Sequence, residues 1–404
     1  MKQVLRLLVG EGFRVFFLGA GVFGFVSVLV WTAYQVALSA GGGFDLPTAS
    51  APHLWHGHEM IFGYGGATLA GFFLTAVPNW TGAKAAPHRF IALVAGLWVA
   101  GRVVVWMSGV VPPVIVAVID LSFAPVLGAK IATQLLKKPK PQNMVFLLFL
   151  TYFWSANLLV HLDWMGLSGG SAEVGLRGGL MALVGMIIVL GGRVTPAFTR
   201  NAMHRAGLEE GMPRDPQVFT PLAIGLAALL PPVAMLGDGS AVSGVIYLAA
   251  GIFALVRVGF WHTRFQWSQP ILWSLHLSYA SIGAGLVLKG LAPFTGLSEV
   301  AGLHFLAISG VGGMTFAVMA RASLGHAGLA LVAMRPVVMG FVALPLAGLV
   351  RWAGGTFGGD LYALSIWVSG GLWLLAFGGF LVAYAPIFTT PRAPRAPVGP
   401  PPTR

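Results

Sequence analysis

The sequence predicts an all-α polytopic membrane protein with about twelve transmembrane helices. Of its 404 residues, 57% are hydrophobic and only 9% are charged, and the mean hydropathy is +0.83. Soluble domains carry about 25% charged residues, so this composition excludes them. The apolar residues form long continuous runs, whereas a transmembrane β-barrel would show short alternating segments. Helices also satisfy their backbone hydrogen bonds internally, which the bilayer interior requires.

The predicted spans are continuous apolar runs of about 20 residues, the length that crosses a bilayer, and they are separated by Pro, Gly and charged residues. In chain order they are residues 14–40, 56–78, 89–109, 113–135, 143–163, 174–196, 218–236, 243–261, 269–291, 300–320, 331–353 and 361–386. The connecting loops are short except for residues 41–52, 137–142 and 200–217.

The chain is expected to form one membrane domain with a short tail. Residues 1–390 are predicted to be a single transmembrane helical domain. Residues 391–404 are Pro-rich and basic, which predicts a disordered cytoplasmic tail. The short basic N-terminus lacks a small-residue cleavage site after an apolar stretch, so the first helix is expected to remain uncleaved.

The basic residues predict the topology. If the N-terminus is cytoplasmic, all but four of the 24 Lys and Arg residues fall on the cytoplasmic side. The exceptions are Arg102, Arg177, Lys289 and Arg351. This positive-inside skew predicts that both termini are cytoplasmic and that the number of spans is even. It also accounts for the net charge of +12, so a nucleic-acid partner is not expected.

The start of the second run carries the strongest chemical signal. His56, His58 and Glu59 stand directly at the beginning of an apolar segment without other charged residues. Ionisable groups at low dielectric are costly unless something binds them. The chain contains no cysteine, so a transition metal would depend on imidazole, carboxylate, thioether or a cofactor macrocycle. We therefore interpret these residues as candidate ligands of a metal or cofactor.

The predicted topology sorts the ten histidines by depth. The five placed toward the outer face are His53, His56, His58, His161 and His304. The four at the inner boundary, where imidazoles commonly lie beside Lys and Arg, are His88, His204, His262 and His326. His276 is the most deeply buried and shares a helix face with Tyr279 at i, i+3 spacing. This pair is either a hydrogen-bonded core contact or a metal ligand beside a proton donor.

Helix geometry divides the outer histidines between sites. His56 and His58 are two residues apart, about 200° around a helix, so a regular helix cannot direct both at one metal. His58 and His304 begin spans that descend from the same face, and at matching depth they could hold one heme iron from opposite sides. His56 is then left to a second metal, a helix cap or water.

Three classes of protein compete at this point. A heme or heme–copper protein is favoured, because imidazoles from several helices at a common depth hold such cofactors. A proton-coupled transporter would also bury His and Glu, with Glu59, Asp120 and Arg102 as its relay. No internal repeat is apparent half a chain after the second run, which weakens the transporter hypothesis. A scaffolding protein would have little reason to place His276 or Glu59 in hydrocarbon.

Long motifs then follow one another through most of the chain. They are residues 56–64, 70–82, 157–162, 191–201, 276–280 and 304–326. On these motifs the chain resembles the NnrS family, membrane proteins associated with the bacterial nitric oxide response. The resemblance implies a twelve-span protein of the bacterial inner membrane that contains heme b and copper. It also implies an association with denitrification or nitrosative-stress defence.

The motifs contain the candidate site residues. Their metal-ligand candidates are His56, His58, His161, His276, His304 and His326. We expect three of these, His58, His304 and His276, to bind heme. Arg193 and Arg321 are expected either to pair with its propionates or to anchor the inner boundary of the membrane. Nitric oxide is expected to be bound or reduced there, with Tyr279 and Glu59 handling protons. The electron donor would be a quinol or a cytochrome, and the alternative is a proton- or metal-coupled transporter or sensor.

Overall fold

The computed structural model describes residues 2–392. All regular secondary structure in this range is helical, which confirms the predicted fold class. The expected disordered tail lies outside the described residues from position 393 onward.

Twelve helices in the described range are long and apolar enough to cross a membrane, which confirms the predicted number. We number them spans 1 to 12 in chain order: Gly12–Ser39, Pro52–Thr81, His88–Trp106, Pro113–Leu135, Pro141–Trp164, Ser171–Arg205, Phe219–Leu236, Ala241–Trp261, Pro270–Thr295, Glu299–Ala327, Arg335–Phe357 and Gly359–Thr389. A short helix, Lys2–Leu8, precedes span 1. Most predicted bounds lie within a few residues of those observed.

Span 6 is the main departure, because it continues to Arg205 and not to the predicted residue 196. Proline has no N–H, so Pro196 leaves the carbonyl of Gly192 without its helical partner. The buried Arg257 of span 8 donates to that carbonyl over 3.1 Å. The helix can therefore pass through Pro196, because another span satisfies the freed backbone group.

Consecutive spans pack side by side, and span 12 packs against span 1. Span 1 contacts spans 2 and 12, and spans 5 and 6, 8 and 9, and 11 and 12 form closely packed pairs. Span 6 has most of its residues buried and lies in the middle of the bundle. Spans 2 and 10 both contact it, which brings their histidines toward the same region.

Spans 2 and 10 share an unusual backbone feature. Residues Glu59–Gly65 and Leu306–Gly312 form π-helical turns, which are rare and occur often at functional sites. The first turn follows His56 and His58, and the second follows His304. The hydroxyls of Tyr64 and Thr315 are 2.6 Å apart and join the two spans.

The two π-helical turns also share a sequence pattern, so spans 2 and 10 contain a short internal repeat. Residues 61–70 read IFGYGGATLA and residues 308–317 read ISGVGGMTFA, so both follow the pattern Ile-x-Gly-x-Gly-Gly-x-Thr-x-Ala. Span 10, eight spans later, thus contains the counterpart of this segment of span 2. The two segments are not half a chain apart, the separation at which the sequence shows no repeat. The repeated glycines admit close neighbours: a Cβ at Gly312 would lie 2.7 Å from Trp373.

Candidate cofactor and metal sites

A buried network of charged side chains joins spans 2 to 4. Glu59 of span 2 accepts a hydrogen bond from Nη1 of Arg102 in span 3, with an N–O distance of 2.5 Å. The other terminal nitrogen of Arg102 pairs with Asp120 of span 4. All three side chains are buried. One guanidinium thus lies between two carboxylates, so a further positive charge is needed to neutralise the group.

His58 contacts the same two carboxylates. Its Nδ1 is 2.8 Å from Oε1 of Glu59, and its Nε2 is 2.9 Å from Oδ1 of Asn157 and 3.3 Å from Oδ2 of Asp120. Asn157 donates through Nδ2 to Asp120 over 2.8 Å, so its oxygen is the atom that faces His58. Both nitrogens of His58 therefore face acceptors, an arrangement suited to an imidazolium donating from both.

His161 completes a group that could hold a metal ion. Its Nε2 lies 2.9 Å from Oδ2 of Asp120, and ligand atoms of His58, Asp120 and His161 all lie within 4.8 Å of one another. The ring of Trp164 packs against both imidazoles, with centroid distances of 4.9 and 5.3 Å. A metal here would replace protons now shared with acceptors, because imidazole coordinates through a deprotonated nitrogen.

A separate cavity of about 420 Å³ opens between spans 1, 2, 6, 10, 11 and 12. Its wall is mostly aliphatic and aromatic, and its volume is typical of pockets that hold small molecules or cofactors. The polar side chains of its wall include His53, His56, Tyr64, Arg177, His304 and Arg351. The cavity thus combines imidazoles and cations with an apolar interior.

His304 presents a free nitrogen within this wall. Its Nδ1 is 2.7 Å from the carbonyl oxygen of Val300, one turn earlier in span 10. A carbonyl only accepts, so Nδ1 carries the proton and Nε2 keeps its lone pair. A backbone carbonyl that fixes the tautomer in this way is the usual partner of a metal-binding histidine.

His56 is the second imidazole of the cavity wall. Its ring stacks on Trp31 of span 1, with centroids 4.5 Å apart and an interplanar angle of 6°. Its Nδ1 is buried and has no hydrogen-bond partner among residues 2–392. His56 and His58 are therefore directed to different sites, the first to the cavity and the second to the ion-pair network. The structure brings His304 together with His56 and not with His58.

His276 and Tyr279 lie apart from the cavity. Nε2 of His276 is 3.0 Å from the hydroxyl oxygen of Thr199, and its Nδ1 is buried without a partner in the described chain. The Tyr279 hydroxyl donates to the carbonyl of Ile188 over 3.0 Å. His326, the remaining predicted ligand, packs against Phe13 with a centroid distance of 5.5 Å. None of these three predicted site residues lines the cavity.

The two arginines expected to pair with propionates also lie elsewhere. Arg193 donates to Oδ1 of Asn143 over 2.9 Å, and the Arg321 guanidinium lies 3.3 Å above the ring of Phe198. Neither lines the cavity, whereas Arg177 and Arg351 do. Arg177 lies near the start of span 6, and Arg351 lies near the end of span 11.

A signal in the sequence marked these residues. The four basic residues that departed from the positive-inside pattern all have roles inside the bundle. Arg102 holds the ion-pair network, Arg177 and Arg351 line the cavity, and Lys289 bonds to Asp238 and Glu299 at 2.9 and 2.7 Å. Charged side chains inside a membrane bundle are costly, so they are usually found where they pair with or bind another group.

The fold and these sites define an integral membrane protein with twelve candidate membrane spans among residues 2–392, a histidine-lined cavity and a buried histidine–carboxylate group able to hold a metal ion. The family described as NnrS protein matches residues 7–392. The chain belongs to the NnrS family, and this membership supports a role as a membrane protein of the nitric oxide response. No curated protein matches the chain significantly.

Proposed function

We propose that the protein binds heme b in the cavity, with His304 as a ligand of the iron and His56 as the second imidazole. The observation that carries this proposal is the Nδ1–Val300 hydrogen bond, which leaves Nε2 of His304 unprotonated in an apolar wall. The cavity volume of about 420 Å³ suits a cofactor of this size class. The unpaired Nδ1 of His56 also fits a histidine whose natural partner is a bound ligand.

The proposed activity is binding or reduction of nitric oxide. Bound heme iron supplies the site for a diatomic ligand and a path for electrons. Reduction of two nitric oxide molecules to nitrous oxide and water takes two protons and two electrons, and a quinol or a cytochrome would deliver the electrons. Glu59 adjoins Met60 of the cavity wall and is the proposed proton carrier, whereas Tyr279 lies away from the cavity. The apolar wall excludes bulk water.

Copper is proposed at His58, Asp120 and His161. Two imidazoles and a carboxylate are suitable donors for copper, and the three lie close enough to share one ion. Arg102 and Asn157 already contact the same carboxylate. Nε2 of His58 also contacts Asn157, so copper binding through this nitrogen would require His58 to give up that bond. The proposal predicts that metal and proton compete for this site.

Absorbance spectra of the purified protein and its variants test the heme assignment. The wild type should show a Soret band, His304→Ala should lose it, and His56→Ala should lose or shift it. His276→Ala and His58→Ala are matched controls that remove an imidazole outside the cavity, and both should keep the band unchanged. A band that survives His304→Ala, or one that disappears in His58→Ala, would contradict this assignment. Anaerobic consumption of nitric oxide with an electron donor tests turnover.

A transporter or sensor is the second candidate, favoured by one observation. Two carboxylates, a guanidinium and two imidazoles are buried together between spans 2 and 5, and such groups commonly mark proton pathways. Flux measurements in proteoliposomes separate the two functions. Transport that is abolished by Asp120→Asn while the Soret band remains would favour a transporter with a heme as a separate component.

A further inference from the structure

Arg351 differs from the three other basic residues that depart from the predicted positive-inside pattern. It lies in span 11, is only 7% exposed, and lines the cavity. Arg102, Arg177 and Lys289 each have carboxylates within 4.0 Å. Arg351 has no carboxylate within that distance anywhere in residues 2–392. A buried cation without a counter-ion is strongly unfavourable, so an anionic ligand in the cavity would stabilise this guanidinium.

The hydrogen bonds of Arg351 leave Nη1 of its guanidinium without an acceptor among residues 2–392. Nη2 donates to the hydroxyl of Tyr362 over 3.2 Å, and the guanidinium carbon lies 5.0 Å from the centroid of the same ring. Nη1 is buried and has no hydrogen-bond partner within the described part of the chain. Tyr362 also lines the cavity. The tyrosine orients the side chain at the cavity wall, and Nη1 has no acceptor from residues 2–392.

Arg351 lies close to the first turn of span 10, the turn that precedes His304. A Cβ built on Gly355 would lie 2.9 Å from Nη1 of Arg351 and 2.9 Å from Cβ of Ala301. Arg351 therefore packs across Gly355 against the first turn of span 10. Ala301 precedes His304 by three residues, about 4.5 Å along the helix axis. The unpaired donor and the free imidazole nitrogen thus belong to one end of one cavity.

We propose that Arg351 binds a carboxylate carried by the ligand that occupies the cavity. The inference rests on the proposed heme site and specifies its ligand as a flat macrocycle with an acidic edge, such as a propionate side chain. A guanidinium binds carboxylates in a forked geometry and cannot lose its charge, which suits it to this role. Arg177, which has carboxylates of its own at 3.5 to 3.7 Å, is not required for it.

Heme b and its dimethyl ester distinguish a carboxylate-dependent site from a simple apolar pocket. The full-length protein, purified from heme-depleted cells, is titrated with each compound while the Soret band is recorded. Wild type should bind heme roughly 10- to 100-fold more tightly than the ester, because a charge-assisted hydrogen bond to a buried partner is lost. In Arg351→Met, which keeps the apolar stem, the affinity for heme should fall to that of the ester.

Arg177→Met is the matched control, since it removes a cation of the same wall that already has counter-ions, and it should preserve most of the preference for heme. A wild type that binds heme and ester equally overturns the role of Arg351, and this comparison needs no variant that might be poorly folded. The role of Arg351 is also overturned if Arg351→Met retains the full preference for heme over the ester. If wild type binds neither compound, the heme proposal itself fails, so the two failures are distinguishable.

Discussion

The substitution Arg102→Met should destabilise the protein strongly, because it leaves Glu59 and Asp120 buried without the guanidinium that lies between them. Removing one partner of a buried ion pair costs about 3–5 kcal/mol. The wild-type side chain is 8% exposed, so water cannot easily replace it. At roughly 2 °C per kcal/mol for a chain of this size, the melting temperature should fall by about 6–10 °C.

Thermal unfolding of the detergent-solubilised protein measures this effect. The matched control is Arg89→Met, which removes an exposed arginine at the start of the same span and should change the melting temperature by about 1 °C or less. The triple variant Glu59→Gln, Arg102→Met, Asp120→Asn should recover part of the loss, since it removes the unpaired charges as well. If Arg102→Met melts within about 2 °C of Arg89→Met, the network does not stabilise the bundle as argued.

Two further substitutions test the contacts of the π-helical turn in span 2. Gly63→Ala should destabilise by about 1–3 kcal/mol, because its Cβ would lie 2.5 Å from Phe23 and 2.9 Å from Arg102. Gly96→Ala, which meets no atom within 4 Å, is its control in the same melting assay, and equal melting temperatures would contradict the packing argument. Tyr64→Phe removes the 2.6 Å contact with Thr315 and should cost about 0.5–1.5 kcal/mol in urea or thermal unfolding. No measurable loss would mean that this contact does not join spans 2 and 10.

The number and the bounds of the spans could be predicted closely because they depend on local properties. A run of about 20 apolar residues is long enough to cross the bilayer wherever it occurs in the chain. The helix whose end lies furthest from its predicted position, span 6, continues beyond Pro196 because Arg257 of another span satisfies the carbonyl of Gly192. No pattern within span 6 contains that contact.

The candidate site was only partly predictable. The sequence singled out His56, His58 and His304, and helix geometry separated the first two correctly. The sequence could not show whether His56 or His58 shares a cavity with His304, because that depends on the rotational orientation of span 2 against spans 6 and 10. Arg351 was visible as an exception to the positive-inside pattern, but its lack of a counter-ion is a property of the packed bundle.

The sequence by itself determined that this is a twelve-span helical membrane protein of the NnrS family with histidines at the ends of particular spans. Hydropathy, helix period and motif order are properties of one segment at a time. Only the tertiary structure decided that His58 faces Glu59 and Asn157 while His56 and His304 face one cavity with Arg351. The physical reason is that burial, hydrogen-bond partners and counter-ions come from different helices, and their arrangement exists only once the helices pack.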